Sequence, residues 1–248
     1  MPEPRYMHEA VIAKGRTGSW SLFVAGGKKS PRDWNDNLWC LDLLPYFRTG
    51  LKKTNQDGTT TNLTSEWQSM APMQTPRSNF AMIAMKNFIY VYGGISGAGT
   101  GESLHVPTLS AVVIERYVIA GNNWETVQVN SVPKFAAFSW CQMGDSSEIA
   151  IVGGTNGDIM SDETNVIDMA TGTVQQSSFE FNTAMGTMCY QASRQTLYHM
   201  GGMNSQGIDY LVKLDNPKRE WSEIDKNHSL VLNSTQLELT NSPSVYFY

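Results

Sequence analysis

The chain is poor in residues that carry chemistry unaided. Its 248 residues include three cysteines and four histidines, only 17% are charged, and no apolar run reaches 18 residues. Cys40, Cys141 and Cys189 are odd in number, lack CxxC spacing and fall inside strand-like segments. They read as reduced, buried thiols, which argues against a disulfide framework. The net charge of −5 provides no basic footprint for nucleic acid. No apolar segment follows Met1, so neither secretion nor a membrane span is indicated, and an intracellular, cytoplasmic or cytoskeletal setting is the default expectation. The Asn-x-Ser/Thr triplets at Asn62, Asn227 and Asn233 then read as chance. There is no phosphate-cradling GxxxxGK[ST] and no GxSxG elbow. His8, His105, His199 and His228 are too scattered to suggest a metal site, so no metal or cofactor is expected.

What the chain does have is a repeat. Four apolar runs each end in a glycine pair: SLFVAGG (Gly26, Gly27), IYVYGG (Gly93, Gly94), IAIVGG (Gly153, Gly154) and LYHMGG (Gly201, Gly202). Recurrence at such intervals marks a repeat architecture. The runs do not alternate in polarity, which predicts strands buried on both faces. A second strand candidate follows each pair, at 37–43, 110–119, 164–169 and 209–215, and then a tryptophan in three units: Trp67, Trp124 and Trp221. A Pro-basic pair precedes the doublet at Pro4-Arg5, Pro76-Arg77 and Pro133-Lys134. Each unit therefore reads as an entry segment and four short strands, a to d, with the glycines closing strand b and the tryptophan on strand d. The third unit lacks its tryptophan, and Val174 or Phe179 must fill that space. The first unit carries roughly 20 extra residues between strands c and d.

This order resembles the kelch repeat over almost the whole chain, through the four glycine pairs, Tyr90 and Tyr198 within strand b, and the three tryptophans. The resemblance implies an all-β, kelch-type β-propeller whose four-stranded blades pack on one another around an axis. The blades expected are about 5–75, 76–132, 133–183 and 184–227, in a single domain spanning 1–248. Strand b is expected to approach the axis. The steps from Trp67 to Gly93 and from Trp124 to Gly153 are nearly equal, and the same step from Trp221 points to a fifth pair near 247–250. The segment 228–248 is expected to be a partial fifth blade or closing tail, and an incomplete ring or fragment is favoured over a closed ring of four.

Some propellers of this kind are enzymes. The two histidines, two tyrosines and cross-linked cysteine of a copper-radical oxidase have no counterpart here. The arginine cluster of a sialidase-like propeller is matched only by Arg5, Arg77 and Lys134, which recur at one structural position. Glu220 to His228 misses the Glu-x3-Asp-x3-His iron motif because Ile224 holds the middle place. What remains is the variable b–c loops, 28–36, 95–109, 155–163 and 203–208, where binding usually resides on a rigid scaffold. The candidate partner-binding residues are Lys28, Lys29, Arg32, Asp33, Trp34, His105, Asp158 and Asp162, with Trp34 as anchor or as a ring folded back on its own blade. The function expected is a non-enzymatic protein-interaction scaffold, a subunit of a larger intracellular assembly. Other proteins, including chains that complete the propeller edge, are its expected partners; the resemblance points to cytoskeletal or ubiquitin-ligase components, though no adaptor segment supports a ligase role. The alternatives are a propeller enzyme with charged side chains meeting at the axis, and a structural subunit pairing through open terminal blades.

Overall fold

The computed structural model describes residues 1–31, 33–47, 52–54, 58–62, 66–96, 108–109, 113–129, 136–155, 160–178, 182–202, 211–215 and 220–223. They form four antiparallel four-stranded sheets in chain order. Sheet I contains β1 (Glu9–Lys14), β2 (Trp20–Ala25), β3 (Leu38–Asp42) and β4 (Trp67–Met70). Sheet II contains β5 (Ala81–Met85), β6 (Phe88–Tyr92), β7 (Ile114–Val118) and β8 (Asn123–Val127). Sheet III contains β9 (Ser139–Gln142), β10 (Glu148–Val152), β11 (Glu163–Asp168) and β12 (Thr173–Ser178). Sheet IV contains β13 (Thr187–Gln191), β14 (Thr196–Met200), β15 (Leu211–Asp215) and β16 (Glu220–Glu223).

In every sheet the strands neighbour one another in sequence order, so each sheet is a meander. Of the strand expected at 110–119 in the second unit, β7 covers Ile114–Val118, and 110–112 lie outside the described residues. The insertion of the first unit contributes a short helix, Leu44–Phe47, and a ribbon of Lys52–Thr54 with Thr60–Asn62. Among the described residues no helix is long and apolar enough to cross a membrane. The segment 228–248 lies outside the described residues.

Successive sheets pack face to face, which explains the unbroken apolar character of the second strands. Val11, Phe23, Leu38 and Cys40 of sheet I meet Met82, Val91, Tyr117 and Trp124 of sheet II. The opposite face of sheet II sends Ile83, Tyr90 and Tyr92 against Trp140, Ile149 and Ile151 of sheet III. Cys141, Ala150 and Val152 then meet Met188 and Leu197 of sheet IV. A strand between two such interfaces needs an apolar side chain at every position, and each large one buried contributes about 1.5–3 kcal/mol. All three cysteines are buried free thiols within these layers. The closest approach between sheets is made by first strands: β1 lies beside β5, β5 beside β9 and β9 beside β13. The second strand lies beside the first, hydrogen-bonded on both sides.

Register settles the missing tryptophan. The pairs Leu41↔Trp67, Tyr117↔Trp124, Ile167↔Val174 and Leu214↔Trp221 are equivalent, so Val174 takes the tryptophan position. Trp124 shows what the ring does there. Its indole N–H donates to the Ala71 carbonyl at 2.8 Å while its ring tilts against Tyr117, so it ties sheet II to the segment leaving sheet I. Asn122 Oδ1 reinforces the tie by accepting from the Ala71 amide and from the Tyr117 hydroxyl, both at 2.8 Å.

Candidate interaction face

Each second strand runs into its glycine pair at the end of the sheet where the entry segment begins the first strand. In three units the residue after the pair bridges the entry segment: Tyr6↔Lys28, Ser78↔Ile95 and Ala136↔Thr155. Each bridge is closed by two backbone hydrogen bonds of 2.8–3.0 Å. The entry residue that follows has a left-handed backbone in all four units: Met7 (φ 57), Asn79 (φ 53), Ala137 (φ 54) and Met185 (φ 62). None is glycine, so each conformation costs on the order of 1 kcal/mol. The turns also link one unit to the next, since Asn79 N–H donates to the Met7 carbonyl and Met185 N–H to the Ala137 carbonyl. Met7 and Met185 are 43% and 57% exposed, and Tyr6 beside Met7 is 40% exposed. In two of the four units this left-handed turn leaves a large apolar side chain exposed; Asn79 is half-buried and Ala137 is buried.

The entry arginines have a structural task. Arg5 Nη1 donates to the Gly26 carbonyl at 3.0 Å, and Arg77 Nη1 to the Gly93 carbonyl at 2.9 Å. Arg77 is fully buried and ion-paired to Glu115, whose other oxygen accepts from the Gln74 amide at 2.6 Å. Burial pulls the Arg77 guanidinium below its ordinary value while Glu115 opposes the shift. Arg5 instead meets Glu3 at 3.5 Å, and Lys29 bonds the same carboxylate at 2.7 Å. Counting back from the left-handed residue, Lys134 stands one place earlier than Arg5 and Arg77 and lies outside the described residues.

The b–c connections of the first two units each contain a short two-stranded ribbon among the described residues: Lys28–Ser30 with Asp33–Trp34, and Ile95–Ser96 with Thr108–Leu109. Trp34 is half-buried, with Lys28 Nζ 4.1 Å from its ring centroid, so it leans on its own ribbon. Burial lowers the pKa of Lys28. Lys29 and Asp33 are exposed at the ribbon edge. Asp162 is exposed beside buried Ser161, whose amide donates to the Gly154 carbonyl. Arg32, His105 and Asp158 lie outside the described residues. The structure therefore gathers Lys28, Lys29, Asp33 and Trp34 on one ribbon and places Asp162 on another unit.

Sequence reasoning passed over one position. Glu9 opens β1, where the other units have Ala81, Ser139 and Thr187. Burial pushes its carboxyl up to about 8, against a hydrogen bond from the Trp140 indole of sheet III. An acid at an otherwise small-residue position is the signal that could have found it. His199 is fully buried, with Nε2 3.0 Å from Ser139 Oγ across the interface of sheets III and IV. Burial pulls it down to about 4, so it is neutral at pH 7. Gly186 leaves the room for that ring: a Cβ there would lie 2.5 Å from His199 Nε2. Among the described residues no group of three His, Cys, Asp or Glu side chains could hold a metal ion.

These features define an all-β protein of successive four-stranded antiparallel sheets. No protein-family profile matches the chain, and no curated protein matches it. A solved structure of YjhT is similar in fold, with a TM-score of 0.65 at 13% identity, over 92% of this chain and 68% of that one.

Proposed function

We propose that the chain is a kelch-type β-propeller, or part of one, and acts as a non-enzymatic scaffold that binds other proteins through the face carrying the glycine pairs. The succession of sheets with first strands side by side, and the fold shared with YjhT, support the propeller. The observation that carries the binding role is the left-handed entry residue, which in two of the four units leaves a methionine exposed: Met7, next to exposed Tyr6, and Met185. Strained backbone persists where the surroundings enforce it and clusters at functional positions, and methionine suits an adaptable contact surface. The ribbon of Lys28, Lys29, Asp33 and Trp34 flanks this surface in sheet I. The three buried free thiols suit a reducing, intracellular setting.

Affinity capture with quantitative mass spectrometry tests the reading. Met7→Ser combined with Met185→Ser is expected to remove a defined set of bound proteins that Ile12→Ser, on the outer face of sheet I, retains. An unchanged set with the double variant would reject this face. A second reading, a small-ligand site among the first strands, has the Glu9–Trp140 contact behind it. It predicts that Glu9→Gln abolishes ligand binding while leaving protein capture intact.

A further inference from the structure

The first two sheets treat the same arginine differently. In sheet II every arm of Arg77 has an acceptor: Nη1 donates to the Gly93 carbonyl at 2.9 Å, Nε to the Thr75 carbonyl at 3.4 Å, and Nη2 to the Glu115 carboxylate. Arg5 holds the same place in sheet I, and its Nη1 likewise donates to the Gly26 carbonyl at 3.0 Å. Its side chain is as enclosed as that of Arg77, with no exposed surface. Yet Arg5 Nε and Nη2 have no hydrogen-bond partner among the described residues. A guanidinium charge sealed from water is costly unless it is paired.

Register shows what changed. Glu115 pairs with Val91, two residues before Gly93; Trp39 pairs with Val24, two residues before Gly26. Sheet I therefore keeps the arginine and puts an indole where sheet II has the carboxylate. Trp39 Nε1 is itself buried without an acceptor, and so is His8 Nδ1. His8 is near enough to Arg5 that the guanidinium charge adds to burial in lowering its pKa, so it is neutral at pH 7 and can carry its proton on Nδ1. Glu3 does not answer these donors. At 3.5 Å from Arg5 Nη2 its carboxylate makes no hydrogen bond there, and it is drawn instead to Lys29 at 2.7 Å.

We infer that Arg5, Trp39 and His8 form a binding site for a carboxylate supplied from outside the chain, seated where Glu115 stands in sheet II. Nε–H and Nη2–H lie along one edge of the guanidinium and match the two oxygens of a carboxylate as a fork. The Trp39 and His8 N–H groups supply donors for the remaining lone pairs. Glu3 and Lys29, whose side chains are 37% and 38% exposed, form the outer wall that a ligand displaces. The site is built from sheet I and its entry segment alone, so it needs neither the propeller nor a protein partner. A small organic acid and an acidic side chain present the same two oxygens to it.

Nuclear magnetic resonance of the intact chain tests this, with sodium acetate replacing sodium chloride at constant ionic strength. The Arg5 Nε–H and Trp39 indole N–H signals should shift saturably. Those of Arg77 Nε–H and the Trp124 indole, which already have acceptors, should stay in place. Glu3→Gln removes a competing carboxylate and should lower the half-saturating acetate concentration. Trp39→Phe should raise it about tenfold, as expected for one hydrogen bond to a charged group. Arg5→Lys keeps the charge without the fork and should abolish saturation. If that variant fails to fold, the Arg77 and Trp124 signals collapse too, and the wild-type and Trp39→Phe titrations still decide. A wild-type Arg5 signal that acetate does not move would overturn the proposal, whether the guanidinium is unreachable or the chain itself supplies the acceptor. So would a response that Trp39→Phe and Arg5→Lys leave unchanged. A parallel titration with a glutamate capped at both backbone ends separates the sources. Tighter binding than acetate assigns the site to an acidic side chain, and equal or weaker binding to a free acid.

Discussion

Replacing Glu9 by glutamine should reverse the pH dependence of stability. The Glu9 carboxyl has an ordinary value of 4.5 and is pushed up to about 8 in the fold, so the folded chain holds a proton that the unfolded chain releases. Stability from this group is full below pH 4.5 and is lost as pH rises toward 8. At about 1.36 kcal/mol per pH unit, the loss between pH 5.5 and 7.5 is about 2.5 kcal/mol. His199 acts in the opposite sense. Its folded value is about 4 against an ordinary 6.5, so the fold excludes a proton that the unfolded chain binds below pH 6.5, and stability rises with pH. Over the same interval that gain is about 1.3 kcal/mol. Glu9 and His199 together therefore lower stability by about 1 kcal/mol from pH 5.5 to 7.5. In Glu9→Gln, which retains an acceptor for the Trp140 indole, the His199 rise remains, and His8, whose pKa burial also lowers, acts in the same direction. Urea unfolding at pH 5.5, 6.5 and 7.5 measures both curves. Every other titrating group is common to the two proteins, so their difference isolates Glu9. A difference that does not change with pH would show that the Glu9 carboxyl is solvated in the fold and would refute its raised pKa.

Other substitutions test the joints between sheets. Arg77→Met should destabilise by about 3–5 kcal/mol because it strands the Glu115 carboxylate, and Arg77→Met with Glu115→Leu should recover much of that loss in urea unfolding. Asn122→Ala removes the acceptor for Ala71 N–H and Tyr117 O–H and forces alanine into a left-handed turn, so a loss of about 2–4 kcal/mol is expected from thermal unfolding. Gly153→Ala drives a methyl group into the Thr183 carbonyl at φ 66, and should lower the midpoint of unfolding far more than Gly58→Ala, which meets nothing within 4 Å.

The repeat was legible because its signals are steric. A glycine pair after an apolar run reports a backbone that must accept another backbone, and Gly26 against the Arg77 carbonyl shows why no other residue serves. The tryptophans were legible because a large ring is needed to reach the neighbouring unit, as Trp124 reaches Ala71. Val174 could not be chosen over Phe179 without strand register, which is set by turn geometry that composition does not encode. The left-handed entry residues left no trace, since methionine, asparagine and alanine at those positions announce nothing; the surrounding bridges impose the conformation. Trp34 was left open between an outward anchor and a ring folded back on its own blade, and composition could not choose; Lys28 lies over its ring because the two face each other across a short ribbon. Glu9 went unnoticed because its meaning depends on Trp140, distant in the chain and brought near only by the packing of first strands.

Site-specific photo-crosslinking tests the binding role most directly. A benzophenone side chain at position 7 or 185 should trap the same partner protein, while one at Ile12 or at Tyr46, on the insertion, should trap none. Trapping at Ile12 or Tyr46, with positions 7 and 185 silent, would contradict binding through the glycine-pair face.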